Sequence, residues 1–199
     1  MAARTATRRL LRELDTWQAE QEELAASRAK VQADVDTDDS DGEKTVINSA
    51  KRDALEQNNP NRGIERLGPV ADAEDLFKWE AVLNGRDVGG GYDYGRWRLE
   101  ITIPTAYPNQ PPVIRFATPI MHANVSLATG AVCLDLLQSA WTPALTVVSC
   151  VRAVRMLLST PGTDSPLNID LAALLRAGDS VGAARLVQLW CEEEHYDGE

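Results

Sequence analysis

The sequence predicts an α+β fold, in which a four-stranded antiparallel meander is flanked by an N-terminal helix and by C-terminal helices. Three observations support this prediction: helical spacing of apolar residues near the N terminus, two-residue alternation in the middle of the chain, and helical spacing again after residue 146. A turn-rich stretch with few charges, Tyr107–Leu145, lies between the third alternating segment and the last helices. Long connections of this kind within a compact domain are usually functional, so we expect the site there.

An amphipathic helix is predicted over Thr5–Leu24, where three apolar residues fall at helical spacing: Leu10, Leu14 and Trp17. Four arginines crowd the same end of the chain: Arg4, Arg8, Arg9 and Arg12. These arginines are either a solvated helix face or a docking surface for an acidic partner. Their crowding in a chain of net charge −10 motivates the second interpretation.

The next segment, residues 27–62, contains an acidic run without aromatic residues and ends in the turn-forming sequence EQNNPNRG. This composition predicts an insertion or a flexible linker, with a short helix near Ser49–Gln57. We therefore divide the chain into an N-terminal helix at 1–26, this insertion at 27–62 and a core at 63–199.

Patterning and short connections predict four strands of one antiparallel meander: Ile64–Val70, Leu76–Leu83, Arg96–Ile103 and Val113–Ala117. The glycine-rich sequence NGRDVGGGYDYG joins two of these strands and precedes no helix, which disfavours a phosphate-binding loop. Helical periodicity predicts a helix over Val147–Ser159 and two further helices separated at Gly178. Asp179 or Ser180 is placed to cap the last one.

Composition disfavours several classes of function. The net charge of −10 argues against a non-specific nucleic-acid binder, which would normally carry a basic face. No apolar run approaches the roughly 20 residues that span a bilayer, and no signal peptide is visible. Three cysteines without a secretion signal predict free thiols in the cytosol or nucleus. Neither their spacing nor the two histidines predict a metal site.

Five motifs occur along the chain in the order YPNQPP, HAN, TGAVCLDLL, WTPAL and DSPLN. In order and spacing they resemble the ubiquitin-conjugating enzyme family, whose pattern is YPxxPP, HPN, GxxCLDIL, WSPAL and DxPL. The resemblance covers residues 63–194 and the first helix, and it implies a four-stranded antiparallel meander with a helix on each flank. DLFKWEAVLNG and SPLNIDLAALLRAGDSVGAARLVQLW are most similar to the fungal peroxin branch of that family.

The resemblance implies an enzyme that accepts ubiquitin as a thioester on Cys133 from an activating enzyme and transfers it with a RING-type ligase. For the peroxin branch, it implies the peroxisomal import receptor as substrate, at the cytosolic face of the peroxisome. Because no membrane segment is visible, this role requires a membrane-anchored partner protein. The activating enzyme consumes the ATP, so no cofactor is expected.

Cys133 is the expected nucleophile, because a thiolate accepts an acyl group readily and the thioester can pass it on. Cys150 and Cys191 lie in apolar helical stretches and are interpreted as buried hydrophobes. Asn124 matches the asparagine of HPN. Its amide either donates a hydrogen bond to the oxyanion formed at the thioester or pins the loop, and both roles can hold. His122 is implied to brace the loop rather than to act as a base.

Asp135, in the CLD element, is expected to tune the surroundings of the thiol or to hold the loop. Ser165 stands where family members carry an acidic residue or a serine, so we expect it to orient the acceptor; a plain turn serine is the alternative. Ala123 replaces the proline of HPN, which predicts a less rigid loop. The segment from Asn124 to Cys133 is also one residue longer than in the commonest members.

The surface that faces the ligase and the activating enzyme in this family combines the first helix with two loops. Carried over to this chain, it comprises Arg8, Arg9, Arg12, Asn109, Thr142, Pro143 and Ala144. Asn109 replaces the aromatic residue of promiscuous members, which predicts weaker docking to generic RING ligases.

Three other functions stay open at this point. A catalytically silent ubiquitin-binding scaffold is disfavoured by Cys133 but supported by Ala123. A cysteine hydrolase would need a histidine base, and nothing in the sequence orients His122 or His195 as one. Transfer of a ubiquitin-like modifier instead of ubiquitin is compatible with the same motif residues.

Overall fold

The computed structural model describes residues 2–36, 42–71, 75–133 and 137–198. The chain forms two compact units, residues 1–10 with 63–199 and residues 11–62. In chain order the helices and strands are α1 (Ala2–Asp36), α2 (Gly42–Gln57), β1 (Ile64–Pro69), β2 (Lys78–Asn84), β3 (Arg96–Thr102), β4 (Val113–Phe116), α3 (Val147–Ser159), α4 (Ile169–Arg176) and α5 (Ser180–Glu193).

The four strands form one antiparallel sheet in the order β1-β2-β3-β4, which confirms the predicted meander. Paired residues on neighbouring strands share a face, so that Trp79, Ile101 and Ile114 form one buried row. Trp97 on β3 is also fully buried. Removing these large apolar side chains from water is the main stabilising contribution to this unit.

The opposite face of the sheet carries charged residues. Glu80 pairs with Arg66 at 2.8 Å, and Glu100 pairs with Arg98 at 3.3 Å and with Arg115. These side chains are partly exposed, so each pair alone contributes little stability. One apolar face and one charged face together produce the two-residue alternation of the sequence.

Two connections of the meander have clear local causes. Asp75 accepts hydrogen bonds from Phe77 N through its carboxylate and from Lys78 N through its carbonyl, so β2 begins two residues later than predicted. Between β2 and β3, Gly91 has a φ of +92°, and a Cβ there would lie 2.2 Å from Ala184 O. The glycine-rich turn therefore serves close packing against α5.

The N-terminal helix is longer than predicted, because α1 extends to Asp36. The flexible-linker interpretation of residues 27–62 is wrong for the described part, which contains the end of α1 and all of α2, starting at Gly42 rather than near Ser49. Composition explains the difference. The sequence AASRAKVQADVD consists largely of good helix formers, and no glycine or proline precedes Gly42. The domain division at residues 26 and 62 stays a prediction.

Within residues 11–62, α1 and α2 are linked by a side-chain ion pair between Arg28 and Glu56 at 2.6 Å. Glu20 accepts a hydrogen bond from Asn61 Nδ2 at 2.7 Å, and Trp17 is buried. These contacts link α1 to α2 and to the turn that follows α2.

The first and last C-terminal helices begin at side-chain caps, of which the one at α5 was predicted. α3 occupies its predicted range and starts with a reciprocal pair in which Thr146 and Ser149 each accept from the other's backbone N–H. Asp179, rather than Ser180, caps α5, since its carboxylate accepts from Gly182 N at 2.8 Å. Within the four described ranges, no helix is long and apolar enough to cross a membrane.

Candidate active site

His122 holds the loop that precedes the candidate nucleophile. It is 0% exposed; its Nδ1 accepts from Asn124 N at 3.0 Å, and its Nε2 lies 3.0 Å from Leu157 O near the end of α3. These partners require a neutral ring that is protonated on Nε2, because Nδ1 must accept. Burial lowers the pKa of His122 to about 4, against the raising effect of the Leu157 carbonyl. Both ring nitrogens are occupied, so His122 has the contacts of a brace and not those of a base.

The side-chain amide of Asn124 makes a two-point contact with the backbone of Gly162. Nδ2 donates to Gly162 O at 2.9 Å, and Gly162 N donates to Oδ1 at 2.8 Å. Asn124 is only 7% exposed. The amide therefore pins the segment that follows α3.

Cys133 is joined directly to Asn124 through the backbone, with Cys133 N donating to Asn124 O at 2.9 Å. The chain between them forms a short hairpin in which Val125 pairs with Val132. At its turn, Gly130 has a φ of +69°, and a Cβ there would meet a neighbouring backbone oxygen at 1.9 Å. Asn124 and Cys133 are therefore adjacent across this hairpin.

The three cysteines differ in exposure. Cys133 is partly exposed, whereas Cys150 and Cys191 are buried. Burial also raises the pKa of Cys191 to about 12, which keeps it a neutral thiol at physiological pH. Among them, the Cys133 thiol is the accessible one.

Ala123, which stands where the family has proline, is fully buried. Its carbonyl accepts from Leu167 N at 2.8 Å and from Asn168 N at 3.1 Å. These two hydrogen bonds attach the loop to the start of α4. They restrain the loop even though the proline of the family is absent.

Ser165 and Asp164 are both exposed. They lie between Gly162, which binds Asn124, and Leu167, which binds Ala123, so both ends of this exposed turn are fixed to the HAN loop. Asp135, also predicted to act at the site, lies outside the described residues.

The two loops of the predicted docking surface are joined by Trp141. Its Nε1 donates to Pro108 O at 2.9 Å, and its ring lies 6.0 Å from that of Tyr107, centroid to centroid. Four predicted docking residues on these loops are exposed: Asn109, Thr142, Pro143 and Ala144. Arg9 donates to Leu145 O at 3.2 Å, next to the second loop. Arg8 and Arg12 are exposed, and Arg12 belongs to the unit of residues 11–62.

Three residues that hold the site were not predicted: Tyr92, Gly162 and Asn168. Tyr92 is buried, and its hydroxyl donates to Met121 O at 2.8 Å, directly before His122. The signal for Asn168 was present, since an asparagine before a helical pattern is a typical N-cap. Tyr92 and Gly162 act through contacts distant in sequence, for which no local pattern exists.

Comparison with known proteins identifies the family to which the chain belongs. A sequence model described as ubiquitin-conjugating enzyme matches residues 49–188. The chain belongs to this family, and the predicted class of enzyme is confirmed. It is 47% identical over 199 residues to the ubiquitin-conjugating enzyme E2 PEX4 of Gibberella zeae, covering 99% of this chain and 94% of that relative.

Two further comparisons agree with this branch. The chain is 42% identical over 121 residues to the protein PEROXIN-4 of Arabidopsis thaliana, covering 61% of this chain and 76% of that protein. The crystal structure of H. polymorpha Pex4p in complex with the soluble domain of Pex22p superimposes with a TM-score of 0.65 at 34% identity. The match covers 79% of this chain and 100% of that one. The predicted similarity to the peroxin branch and the predicted fold are both confirmed.

The buried neutral His122 predicts a specific pH dependence of stability. Its folded-state pKa of about 4 lies below the ordinary 6.5, so the unfolded chain binds more protons between these values. This contribution is fully present above pH 6.5 and is lost as pH falls towards 4, by up to about 3 kcal/mol. The free energy of unfolding, measured by chemical denaturation from pH 7 to pH 4.5, tests this prediction.

The matched variants are His122→Gln and His195→Gln. The stability difference between wild type and His122→Gln is expected to shrink as the pH is lowered, whereas His195→Gln, at an exposed position, should follow the wild-type curve. A constant difference between wild type and His122→Gln across this range would contradict the neutral buried ring.

Proposed function

We propose that Cys133 accepts ubiquitin as a thioester and passes it, with a RING-type ligase, to a substrate. The observation that carries the proposal is the partly exposed Cys133 in a chain of this family. A backbone hydrogen bond joins Cys133 to Asn124. In charging, the Cys133 thiolate attacks the thioester carbonyl on the activating enzyme, whose thiol leaves. In discharge, the acceptor attacks the new thioester, and the Cys133 thiolate is the leaving group.

The surrounding residues are assigned to the discharge step. Each attack places negative charge on the carbonyl oxygen, and the second Nδ2 hydrogen of Asn124 is the donor proposed for it. Asp135 is proposed to tune the surroundings of the thiol, and Ser165 to orient the acceptor. His122 remains neutral and holds Asn124.

We propose further that the substrate is the peroxisomal import receptor and that the chain acts at the cytosolic face of the peroxisome. The similarity to PEX4 and PEROXIN-4 supports this assignment. A membrane-anchored partner is proposed to recruit the chain. The complex of H. polymorpha Pex4p with the soluble domain of Pex22p supports a dedicated partner of this kind.

The ligase is proposed to dock on the two loops that Trp141 joins, together with Arg8 and Arg9 of the first helix. Arg12 stays a docking residue expected from the family pattern. Asn109 offers an exposed amide where promiscuous members have an aromatic residue. Because aromatic anchors carry much of the energy of such interfaces, this surface favours a dedicated ligase over generic ones.

Single-turnover discharge of the charged chain tests the proposed function. The chain is charged with ubiquitin, activating enzyme and ATP, charging is stopped, and loss of the adduct is followed with free lysine or with free cysteine. We expect one acceptor to accelerate the loss well beyond hydrolysis, which also defines the acceptor chemistry. A chain that never charges would support the silent ubiquitin-binding scaffold. A chain that charges only with a ubiquitin-like modifier would be a conjugating enzyme for that modifier and not for ubiquitin.

Substitutions of Ser165 are expected to change discharge and not charging. Ser165 is exposed and precedes Pro166, and phosphorylation would add about two negative charges beside Asp164. We expect Ser165→Asp to change the rate of discharge to lysine severalfold relative to Ser165→Ala. Equal rates for both variants and wild type would leave Ser165 as a plain turn residue.

A further inference from the structure

Asn168 is a buried polar residue, 8% exposed, to which the proposed reaction gives no role. Its Oδ1 accepts from Leu171 N at 3.1 Å and so caps α4. Its backbone N donates to Ala123 O at 3.1 Å, and its Nδ2 donates to Met121 Sδ at 3.0 Å. One residue therefore binds the start of α4 and both neighbours of His122.

Helix capping alone does not require the amide of Asn168. A cap needs an acceptor oxygen, which serine, threonine and aspartate supply as well as asparagine does. The Nδ2 group is used only on Met121, whose thioether is a weak acceptor. The amide nitrogen therefore contacts the loop that carries His122 and Asn124, whereas the cap of α4 uses only the amide oxygen.

Ala123 lacks the ring that fixes φ in proline, so the conformation of this loop depends on contacts with the rest of the chain. Asp87 is the one non-glycine residue with a positive φ in the described ranges, so the φ of Ala123 is negative, which is a necessary condition for proline at that position. Asn168 restrains the loop on either side of His122 instead. The restraint extends to Asn124, whose carbonyl binds Cys133 N at 2.9 Å.

We propose that Asn168 is a positioning residue for discharge: by holding Met121 and Ala123 from the start of α4, it keeps the Asn124 amide beside the thioester. The inference rests on the proposed function, since it requires a thioester on Cys133. A thiolate is a stronger nucleophile than an amine, so charging depends less on this alignment than discharge does.

Asn168→Asp isolates the contact with Met121. The carboxylate keeps the cap acceptor and the size of the side chain, but it places an acceptor where Nδ2 donated. We expect discharge to a free amine to slow about three- to tenfold, the effect of one lost hydrogen bond, with an unchanged rate of charging. Met121→Leu, which removes the sulfur at similar volume, is expected to slow discharge by a similar factor. The double variant should be no slower than the slower single one, because both substitutions remove the same contact.

Two further variants separate positioning from general destabilisation. Asp179→Ala removes the cap of α5, away from the contacts of Asn168, and is expected to lower thermal stability without slowing discharge. Ala123→Pro fixes the φ that Asn168 otherwise restrains, and in the Asn168→Asp background it is expected to restore the rate of discharge. If Ala123→Pro alone disturbs the fold, the double variant of Asn168→Asp and Met121→Leu is compared with the two single variants instead. That comparison decides whether the contact between Asn168 and Met121 positions the loop.

The proposal is overturned if Asn168→Asp discharges at the wild-type rate, or if its charging and discharge fall together with thermal stability. A wild-type chain that never charges overturns the proposed function instead. That failure is seen before any variant is compared, so the two outcomes are distinct.

Discussion

Cys133→Ser is expected to convert a ubiquitin adduct that thiol reductants cleave into one that survives them, and Cys133→Ala is expected to give no adduct. A serine hydroxyl forms an oxygen ester, which a thiol does not readily exchange. Because a hydroxyl is far less acidic than a thiol, formation of this ester should slow by on the order of 10³-fold or more. Electrophoresis with and without reductant, after incubation with ubiquitin, activating enzyme and ATP, measures both effects.

The other two cysteines provide matched controls for this prediction. Cys150→Ala and Cys191→Ala alter buried thiols and should retain the reducible adduct, with some loss of stability from the small cavities created. A reducible adduct that persists in Cys133→Ala and disappears in either control would contradict the assignment.

Asn124→Ala is expected to charge normally and to discharge about 100-fold more slowly, the typical cost of losing one oxyanion donor. The same substitution leaves Gly162 N and Gly162 O without their partner, so the free energy of unfolding should fall by about 1–3 kcal/mol. Single-turnover discharge and chemical denaturation on one preparation measure the two effects.

Asn84→Ala is the matched control for Asn124→Ala. It also removes a side-chain amide hydrogen bond, from Asn84 Nδ2 to Glu65 at 2.8 Å, but on the sheet and outside the site. We expect discharge at the wild-type rate from this control. If Asn124→Ala lost stability and kept its rate of discharge, Asn124 would only pin the loop.

The meander could be predicted, and Cys133 could be proposed as the nucleophile, because each leaves a local signal. Alternating residues around Trp97 indicated which side chains share a strand face, and Asp179 marked a helix start through its own side chain. The motif around Cys133 combined an accessible thiol with a tight turn at Gly130. Patterns of this kind act within a few residues of the chain.

The end of α1, the first half of α2 and the fastening of the HAN loop could not be predicted from the same signals. Contacts such as Arg28 to Glu56 link α1 to α2, and the acidic run ADVDTDDSDGE at their junction obscured the helix propensity there. Gly162 and Asn168 reach the loop from about 40 residues away through backbone and amide hydrogen bonds. Such contacts have no periodicity, and the departure at Ala123 made the loop look weaker than it is.

One asparagine can both hold this loop and serve the proposed oxyanion contact. An amide has one acceptor oxygen and two hydrogens on nitrogen. Gly162 occupies the oxygen and one hydrogen of Asn124, which fixes the orientation of the group. The other hydrogen is the donor that we propose for the oxyanion, and Asn124→Ala separates this role from pinning alone.

Thioester formation on Cys133 can be tested by the intact mass of the chain after incubation with ubiquitin, activating enzyme and ATP. We expect a mass increase of one ubiquitin, which a thiol reductant removes and which proteolysis maps to Cys133. No mass increase, or a reducible ubiquitin attached at Cys150 or Cys191, would contradict it.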